Sequence, residues 1–148
     1  MPSRVRNTFA VVLGAAVAVT VVFVGDAVVH HSWPLPPGID AHNRAQVDQA
    51  LAAFPLIAFL VLVCGWMLAT ALGAFVATRL SSPRHARSGR LVTILILLGT
   101  IANLAGIHHP GWMWPAAILL VLLGAGSARA LASARPQHQL RRPDERCR

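Results

Sequence analysis

The sequence predicts an all-α protein, a polytopic membrane bundle of four transmembrane helices. Of its 148 residues, 55% are hydrophobic and only 12% are charged, whereas about 25% of an ordinary soluble domain is charged. The apolar residues form four long runs, and the Arg residues lie between or beyond these runs. No strand-like alternation of polar and apolar residues competes with helices in these runs.

The four runs predict helices at about 9–29, 51–78, 91–107 and 112–131. Each can cross a membrane, because about 20 helical residues span the roughly 30 Å hydrocarbon core. Pro55 falls in the first turns of the second helix, where proline costs little. Pro110 ends the third helix, because the residue before a proline avoids helical backbone angles. We therefore expect a membrane domain at 1–134, followed by a basic and disordered cytoplasmic tail at 135–148.

The first run has an alternative interpretation as a cleaved signal peptide. Arg4 and Arg6 precede it, and small residues follow near Gly25 and Ala27. However, the run is longer than the roughly 7–15 residues of a signal core, and Asp26 among Val and His residues is a poor cleavage context. We therefore expect a retained helix, and the other three helices keep the same orientation in either case.

The distribution of Arg predicts the orientation. All 13 basic residues are Arg, and twelve of them fall on the side that holds both termini and the loop between the second and third helices. The opposite loops contain only Arg44. Because basic loops remain in the cytoplasm, we expect a protein of the bacterial cytoplasmic membrane with both termini cytoplasmic. The tryptophans at the opposite interface agree, since indole rings prefer that region: Trp33, Trp112 and Trp114.

The expected partners follow from the same distribution. The lipid bilayer surrounds the bundle, and anionic lipid headgroups would bind the Arg-rich inner face. A second copy of the chain or a larger membrane complex is also possible, whereas nucleic acid is not expected, because the arginines follow the topology instead of forming one basic patch.

Small residues recur at every fourth position of the second predicted helix. Gly65, Ala69, Gly73 and Ala77 form this series, which lets the backbone of a neighbouring helix approach closely. The partner is either another helix of this chain or a second copy. Asn103, inside the third helix, is expected to form a hydrogen bond to a neighbouring helix.

Ionisable residues gather where the first and third helices reach the outer side. Asp26 and His30 are four residues apart and share a helix face, His31 is adjacent, and His108 and His109 end the third helix. A carboxylate can orient an imidazole that then binds a metal or carries a proton. Alternatively, these are ordinary helix-end residues at a wet interface. The functional hypothesis predicts that Asp26, His30 and His109 approach one another.

The sequence contains few other residues or motifs that could carry catalytic or binding chemistry. Cys64 lies in a membrane helix and Cys147 in the tail, so they are not expected to pair. The sequence has no HExxH, no GxSxG and no phosphate-binding glycine loop, so neither an enzyme nor a cofactor is expected. Trp66 is a candidate ligand contact inside the second helix. The segment 32–49 is expected to begin as a Pro-rich turn and to become helical near Asp40.

The segment from Gly25 to Asp40, together with Asn103 and the His109-Pro110 pair before Trp112, resembles a family of small uncharacterised bacterial membrane proteins. Members have an acidic residue and a His at the end of the first helix, a Pro-rich loop, and a Pro-His-Pro-x-Trp-like turn. The resemblance implies four helices over the whole chain except the basic tail, and it implies no mechanism. The chain departs from the family in the sequence of that turn, and it has Asp where the family has Glu.

These observations favour a non-enzymatic membrane protein, either an accessory of a larger complex or a self-associating bundle. The alternative is transport of a small ligand, an ion or a proton through the outer His and Asp residues. A membrane metalloenzyme would need three converging protein ligands and an open coordination position.

Overall fold

The computed structural model describes residues 3–40, 43–81, 87–107 and 109–133. Of these residues 85% are helical, and they include no strand. The helices are α1 (Ser3–Ser32), α2 (Arg44–Ala52), α3 (Leu56–Leu80), α4 (Arg87–Gly106) and α5 (Met113–Ser133). Four of them, α1, α3, α4 and α5, are long and apolar enough to span a membrane. The predicted fold class is therefore confirmed, while the predicted tail at 135–148 lies outside the described residues.

The second helix does not begin at 51 as predicted. α2 ends at Ala52 and α3 begins at Leu56, with Pro55 as the extended residue before α3 (φ −68°, ψ 150°). Proline has no N–H to donate into a helix and disfavours helical angles at the residue before it. Phe54 instead closes α2, because its N–H donates to the carbonyl of Leu51 over 3.0 Å.

Helix α2 is the helix that was expected near Asp40. It begins after Asn43, whose side chain accepts a hydrogen bond from the N–H of Gln46 over 3.4 Å, and the Gln46 side chain accepts one from the N–H of Asp40 over 2.9 Å. The Arg44 guanidinium donates to the carbonyl of Ala105 over 3.4 Å, in the last turn of α4. The carbonyls of that turn have no partner within their helix, so Arg44 links α2 to the end of α4.

Helix α3 is the centre of the bundle. It contacts α1, α4 and α5, and α4 also contacts α1 and α5. The outward sides of the long helices are apolar: Phe23 is 69% exposed and Leu119 is 59% exposed. Such side chains suit contact with lipid, where they would not be exposed to water.

Three glycines let the backbones approach α3. A Cβ on Gly14 of α1 would lie 2.6 Å from the carbonyl oxygen of Gly73. A Cβ on Gly89 of α4 would collide with the hydroxyl of Thr78, and one on Gly124 of α5 would collide with the carbonyl oxygen of Met67. Each of the three neighbouring helices thus touches α3 at a glycine.

The small-residue series has a partner within the chain. Ala69, Gly73 and Ala77 are buried, and Gly73 and Ala77 contact α1 at Gly14. Gly65 lies outside this contact, since a Cβ there would meet nothing within 4 Å.

The two ends of the bundle differ in composition. We call the end that holds Ser32, Leu56, Gly106 and Met113 the histidine end, and the opposite end the arginine end. At the arginine end, the Arg79 guanidinium donates to the carbonyl of Leu131 over 3.0 Å and lies 5.1 Å from the centre of the Phe75 ring.

Candidate functional site

The ionisable residues of α1 lie near its histidine end. Asp26 is partly buried, whereas His30, one helical turn later, is exposed. His31 is also exposed and is absent from the cavity lining described next. His108 lies outside the described residues. The spacing of Asp26 and His30 therefore places both residues on one face, as the sequence indicated.

A cavity of about 200 Å³, the polar cavity, opens at the histidine end. Asp26, His30 and His109 all line it, together with Asn103 and Trp66. The rest of its wall is apolar and comes from α1, α2, α3 and the segments beside them: Val29, Leu35, Val47, Leu51, Phe54, Phe59, Leu62 and Ile107. The structure thus brings the three ionisable residues to one cavity.

The ring of His109 is held in a defined orientation. Its Nδ1 lies 2.9 Å from the carbonyl oxygen of Ile107. A carbonyl can only accept, so Nδ1 donates, and in the neutral ring Nε2 keeps its lone pair. The edge of the ring also packs against Phe59, with centroids 6.4 Å apart and an interplanar angle of 73°. His109 can therefore offer one acceptor atom to a ligand.

The described residues assemble no set of metal ligands at the polar cavity. No group of three or more His, Cys, Asp or Glu side chains among them is placed to hold a metal ion. A zinc site needs at least three protein ligands converging on one point. Asp26, His30 and His109 line one cavity without forming such a set.

A second cavity of about 350 Å³, the apolar cavity, lies between α1 and α4 with α3 behind it. Trp66 and Asn103 line both cavities. The other lining residues are Ala15, Val19, Val22, Val92, Leu95, Ile96, Gly99 and Thr100. The two cavities adjoin at Trp66 and Asn103, and we call the pair the α1–α4 crevice; its ionisable groups line only the polar cavity.

The crevice ends toward the arginine end. Val92 lines the apolar cavity, and its Cγ1 would lie 3.2 Å from a Cβ on Gly73. Gly73 is in turn in close contact with Gly14. The close packing of α1, α3 and α4 at this level bounds the crevice.

The apolar cavity was not predicted from the sequence, although the spacing of its lining residues along α1 and α4 could have indicated it. Counting back from Asp26 by four, three and four residues gives Val22, Val19 and Ala15, and the same steps back from Asn103 give Gly99, Ile96 and Val92. Residues with these spacings share a helix face. The faces that carry Asp26 and Asn103 thus continue toward the arginine end as two walls of the apolar cavity.

A third cavity of about 510 Å³, the side cavity, adjoins the polar cavity. Both are lined by Leu51, Phe54, Phe59 and His109. Asp48 of α2 lines the side cavity and does not line the polar cavity. The side cavity and the polar cavity adjoin at these shared side chains.

No protein-family model matches this chain, and neither a curated protein nor a solved structure matches it.

Proposed function

We propose that this chain is a non-enzymatic protein of the bacterial cytoplasmic membrane that binds a small amphipathic ligand in the α1–α4 crevice. The observation that carries the proposal is the order of the two cavities. Ionisable side chains line the polar cavity, and the adjoining apolar cavity extends past Trp66 and Asn103 toward the middle of the bundle.

The size and lining of the crevice suit a small ligand. Ligand sites are commonly about 300–1,000 Å³, mostly apolar, with a few placed polar groups. The apolar cavity has about 350 Å³ and the polar cavity about 200 Å³. An amphipathic molecule would place its polar group beside Asp26 and its hydrocarbon part beside Gly99, which matches the change of polarity across half of a bilayer.

The orientation is part of the proposal. Among the described residues, six arginines belong to the arginine end and the loops beside it: Arg4, Arg6, Arg79, Arg87, Arg90 and Arg129. Arg44 is at the histidine end. The positive-inside rule then places the arginine end in the cytoplasm against anionic headgroups and opens the crevice to the outer leaflet.

Proton-linked transport is the second candidate. It is favoured by the shared cavity of Asp26, His30 and His109, because a carboxylate and imidazoles can relay a proton. The close contact of Gly14, Gly73 and Val92 supports binding over conduction, since it bounds the crevice on the cytoplasmic side. Proton flux into vesicles that contain the protein, compared with the same vesicles containing Asp26→Asn, would distinguish the two functions. A flux that requires Asp26 favours transport.

An accessory role or self-association is compatible with ligand binding. The molecular mass of the protein in detergent, corrected for bound detergent, tests self-association directly. A single protomer that still binds the probe described next would show that the crevice is complete within one chain.

The ligand site is tested by filling the apolar cavity. Gly99 lines this cavity, and a Cβ there would meet nothing within 4 Å, so Gly99→Leu should occupy the space without a backbone clash. The matched control is Gly126→Leu, because Gly126 is exposed on α5 and also has open space around it.

The probe is a long-chain alcohol with a nitroxide at the middle of its chain, which quenches nearby tryptophan fluorescence. The component of quenching that is lost in Trp66→Phe reports occupation of the crevice. We expect Gly99→Leu to abolish this component and Gly126→Leu to retain it. Equal quenching in the two leucine variants would contradict the proposal.

A further inference from the structure

We infer that the polar cavity recognises a compact primary ammonium group attached directly to a single hydrocarbon chain, drawn from the outer leaflet of the bilayer. This inference rests on the proposed ligand-binding function and adds the chemistry of the head group. It follows from the charged side chains and the hydrogen-bond acceptors that line the polar cavity, and from the position of Asp26 close to the apolar cavity.

The charge of the wall favours a cation. The polar cavity is lined by the carboxyl group of Asp26, by the imidazole rings of His30 and His109, and by no Arg among the described residues. The nearest outer arginine, Arg44, donates to the carbonyl of Ala105 and does not line the polar cavity. A phosphate or carboxylate head group would therefore face an acidic side chain without a guanidinium to bind it.

The acceptor atoms match an ammonium group in number. A primary ammonium has three N–H donors and no acceptor. Asp26, Asn103 and His109 line the cavity, and their side chains carry a carboxylate, an amide oxygen and the Nε2 of a ring whose Nδ1 donates to the carbonyl of Ile107. The lining therefore contains at least as many acceptor groups as a primary ammonium has donors.

The position of Asp26 close to the apolar cavity favours a ligand with a compact head group. Asp26 is one helical turn from Val22, which lines the apolar cavity. An ammonium beside Asp26 is therefore also beside the start of the hydrocarbon chain. In a zwitterionic phospholipid a phosphate separates these two parts, and that phosphate would be brought into the same acidic cavity.

The head group, not the chain, should determine affinity. A ligand that enters the crevice from the bilayer exchanges lipid contacts for contacts with Leu, Ile and Val, which are equally apolar. The chain therefore contributes fit and orientation, while the charge-assisted hydrogen bonds to Asp26 contribute discrimination.

The test compares three probes with the same nitroxide-labelled chain and different ends: a primary amine, an alcohol and a carboxylic acid. Each is titrated against the full-length protein in uncharged detergent, and the Trp66-dependent quenching is measured. We expect wild type to bind the amine about tenfold more tightly than the alcohol, as one charge-assisted hydrogen bond allows, and to bind the acid most weakly.

Two variants that each remove one carboxylate test whether the preference for the amine depends on Asp26. Asp26→Asn should reduce amine affinity about tenfold and should reduce alcohol affinity by less, because the alcohol loses a hydrogen bond but no ion pair. Asp48→Asn should bind all three probes like wild type, because Asp48 lines only the adjoining side cavity. A melting temperature equal to that of wild type shows that Asp26→Asn is folded.

The outcomes separate this inference from the proposed function. If wild type binds the three probes equally and Gly99→Leu removes all binding, the crevice is a ligand site but the head-group inference is wrong. If Gly99→Leu and Gly126→Leu show the same quenching with every probe, the proposed function fails as well. The ranking of the probes on wild type requires only the Trp66→Phe reference and is decisive even if Asp26→Asn does not fold.

Discussion

Gly14 of α1 and Gly73 of α3 lie so close that a Cβ on either residue would be 2.6 Å from the carbonyl oxygen of the other. The contact is reciprocal, and Ala77 and Ala18 extend it along the two helices. Neither backbone can move away from the other without separating α1 from α3. The stability of the bundle should therefore depend on these two positions.

Gly73→Leu should destabilise the bundle by about 1–3 kcal/mol or more, because overpacking a close contact forces the helices apart. Gly65→Leu is the control on the same helix, since a Cβ at Gly65 would meet nothing within 4 Å. Thermal unfolding of both variants in detergent measures the difference. Equal melting temperatures would mean that the Gly14–Gly73 contact does not form in solution.

Gly124 and Gly126 form a second matched pair, on α5. A Cβ on Gly124 would collide with the carbonyl oxygen of Met67, whereas one on Gly126 would meet nothing within 4 Å. We expect Gly124→Leu to lower the melting temperature and Gly126→Leu to leave it unchanged or raise it, since Leu favours helix over Gly by up to about 1 kcal/mol. A lower melting temperature for both variants would indicate that α5 packs differently.

Arg44→Ala should loosen α2. The Arg44 guanidinium contacts the carbonyl of Ala105 over 3.4 Å, a long hydrogen bond to the negative end of the α4 dipole that is worth about 0.3–1 kcal/mol. Amide hydrogen exchange across Arg44–Ala52 should therefore accelerate a few-fold. Arg44→Lys, which keeps the charge, should show a smaller change, and exchange identical to wild type in both variants would exclude a role for this contact.

The histidine end should face outward. A reporter enzyme that folds only in the periplasm should be inactive when fused after Arg148 and active when inserted near Pro36, because the positive-inside rule predicts that the arginine end stays in the cytoplasm. The opposite pattern would reverse the orientation and place the crevice in the inner leaflet.

Zinc should bind no more tightly to wild type than to His30→Ala. Asp26, His30 and His109 share a cavity, yet no group of three metal-binding side chains forms among the described residues. Calorimetric titration of both proteins provides the comparison. A tight site that disappears in His30→Ala would revive the hypothesis of a metal centre.

The four long helices could be predicted because each run of apolar residues is long enough to cross a bilayer. Their ends were less predictable. Hydropathy detects only the apolar part, so the first prediction began at 9, whereas helical hydrogen bonding continues through Arg6 and Arg4 to Ser3. Pro55 was assigned to a first helical turn, where proline is tolerated, but the structure uses it to separate α2 from α3.

The candidate site was predictable in part, because residue spacing shows which side chains share a face of one helix. Asp26 and His30 share a face by spacing alone, and Pro110 indicates that the third helix ends before it. α4 ends at Gly106, so His109 lies beyond the helix. Spacing does not say which face of a helix meets a neighbour: Gly65 and Gly73 belong to one series, yet only Gly73 has a backbone beside it. The apolar cavity depends on the separation between α1 and α4, which no single helix encodes.

The Gly14–Gly73 contact also acts as a fixed point about which α1 can rotate. His30 is 16 residues beyond Gly14, about 24 Å along the helix at 1.5 Å per residue. A rotation of about 5° around the contact would thus move His30 by roughly 2 Å. Small angular changes at this contact would therefore be enlarged at the histidine end, so the rate at which a molecule enters or leaves the crevice would depend on how firmly the contact holds the angle of α1.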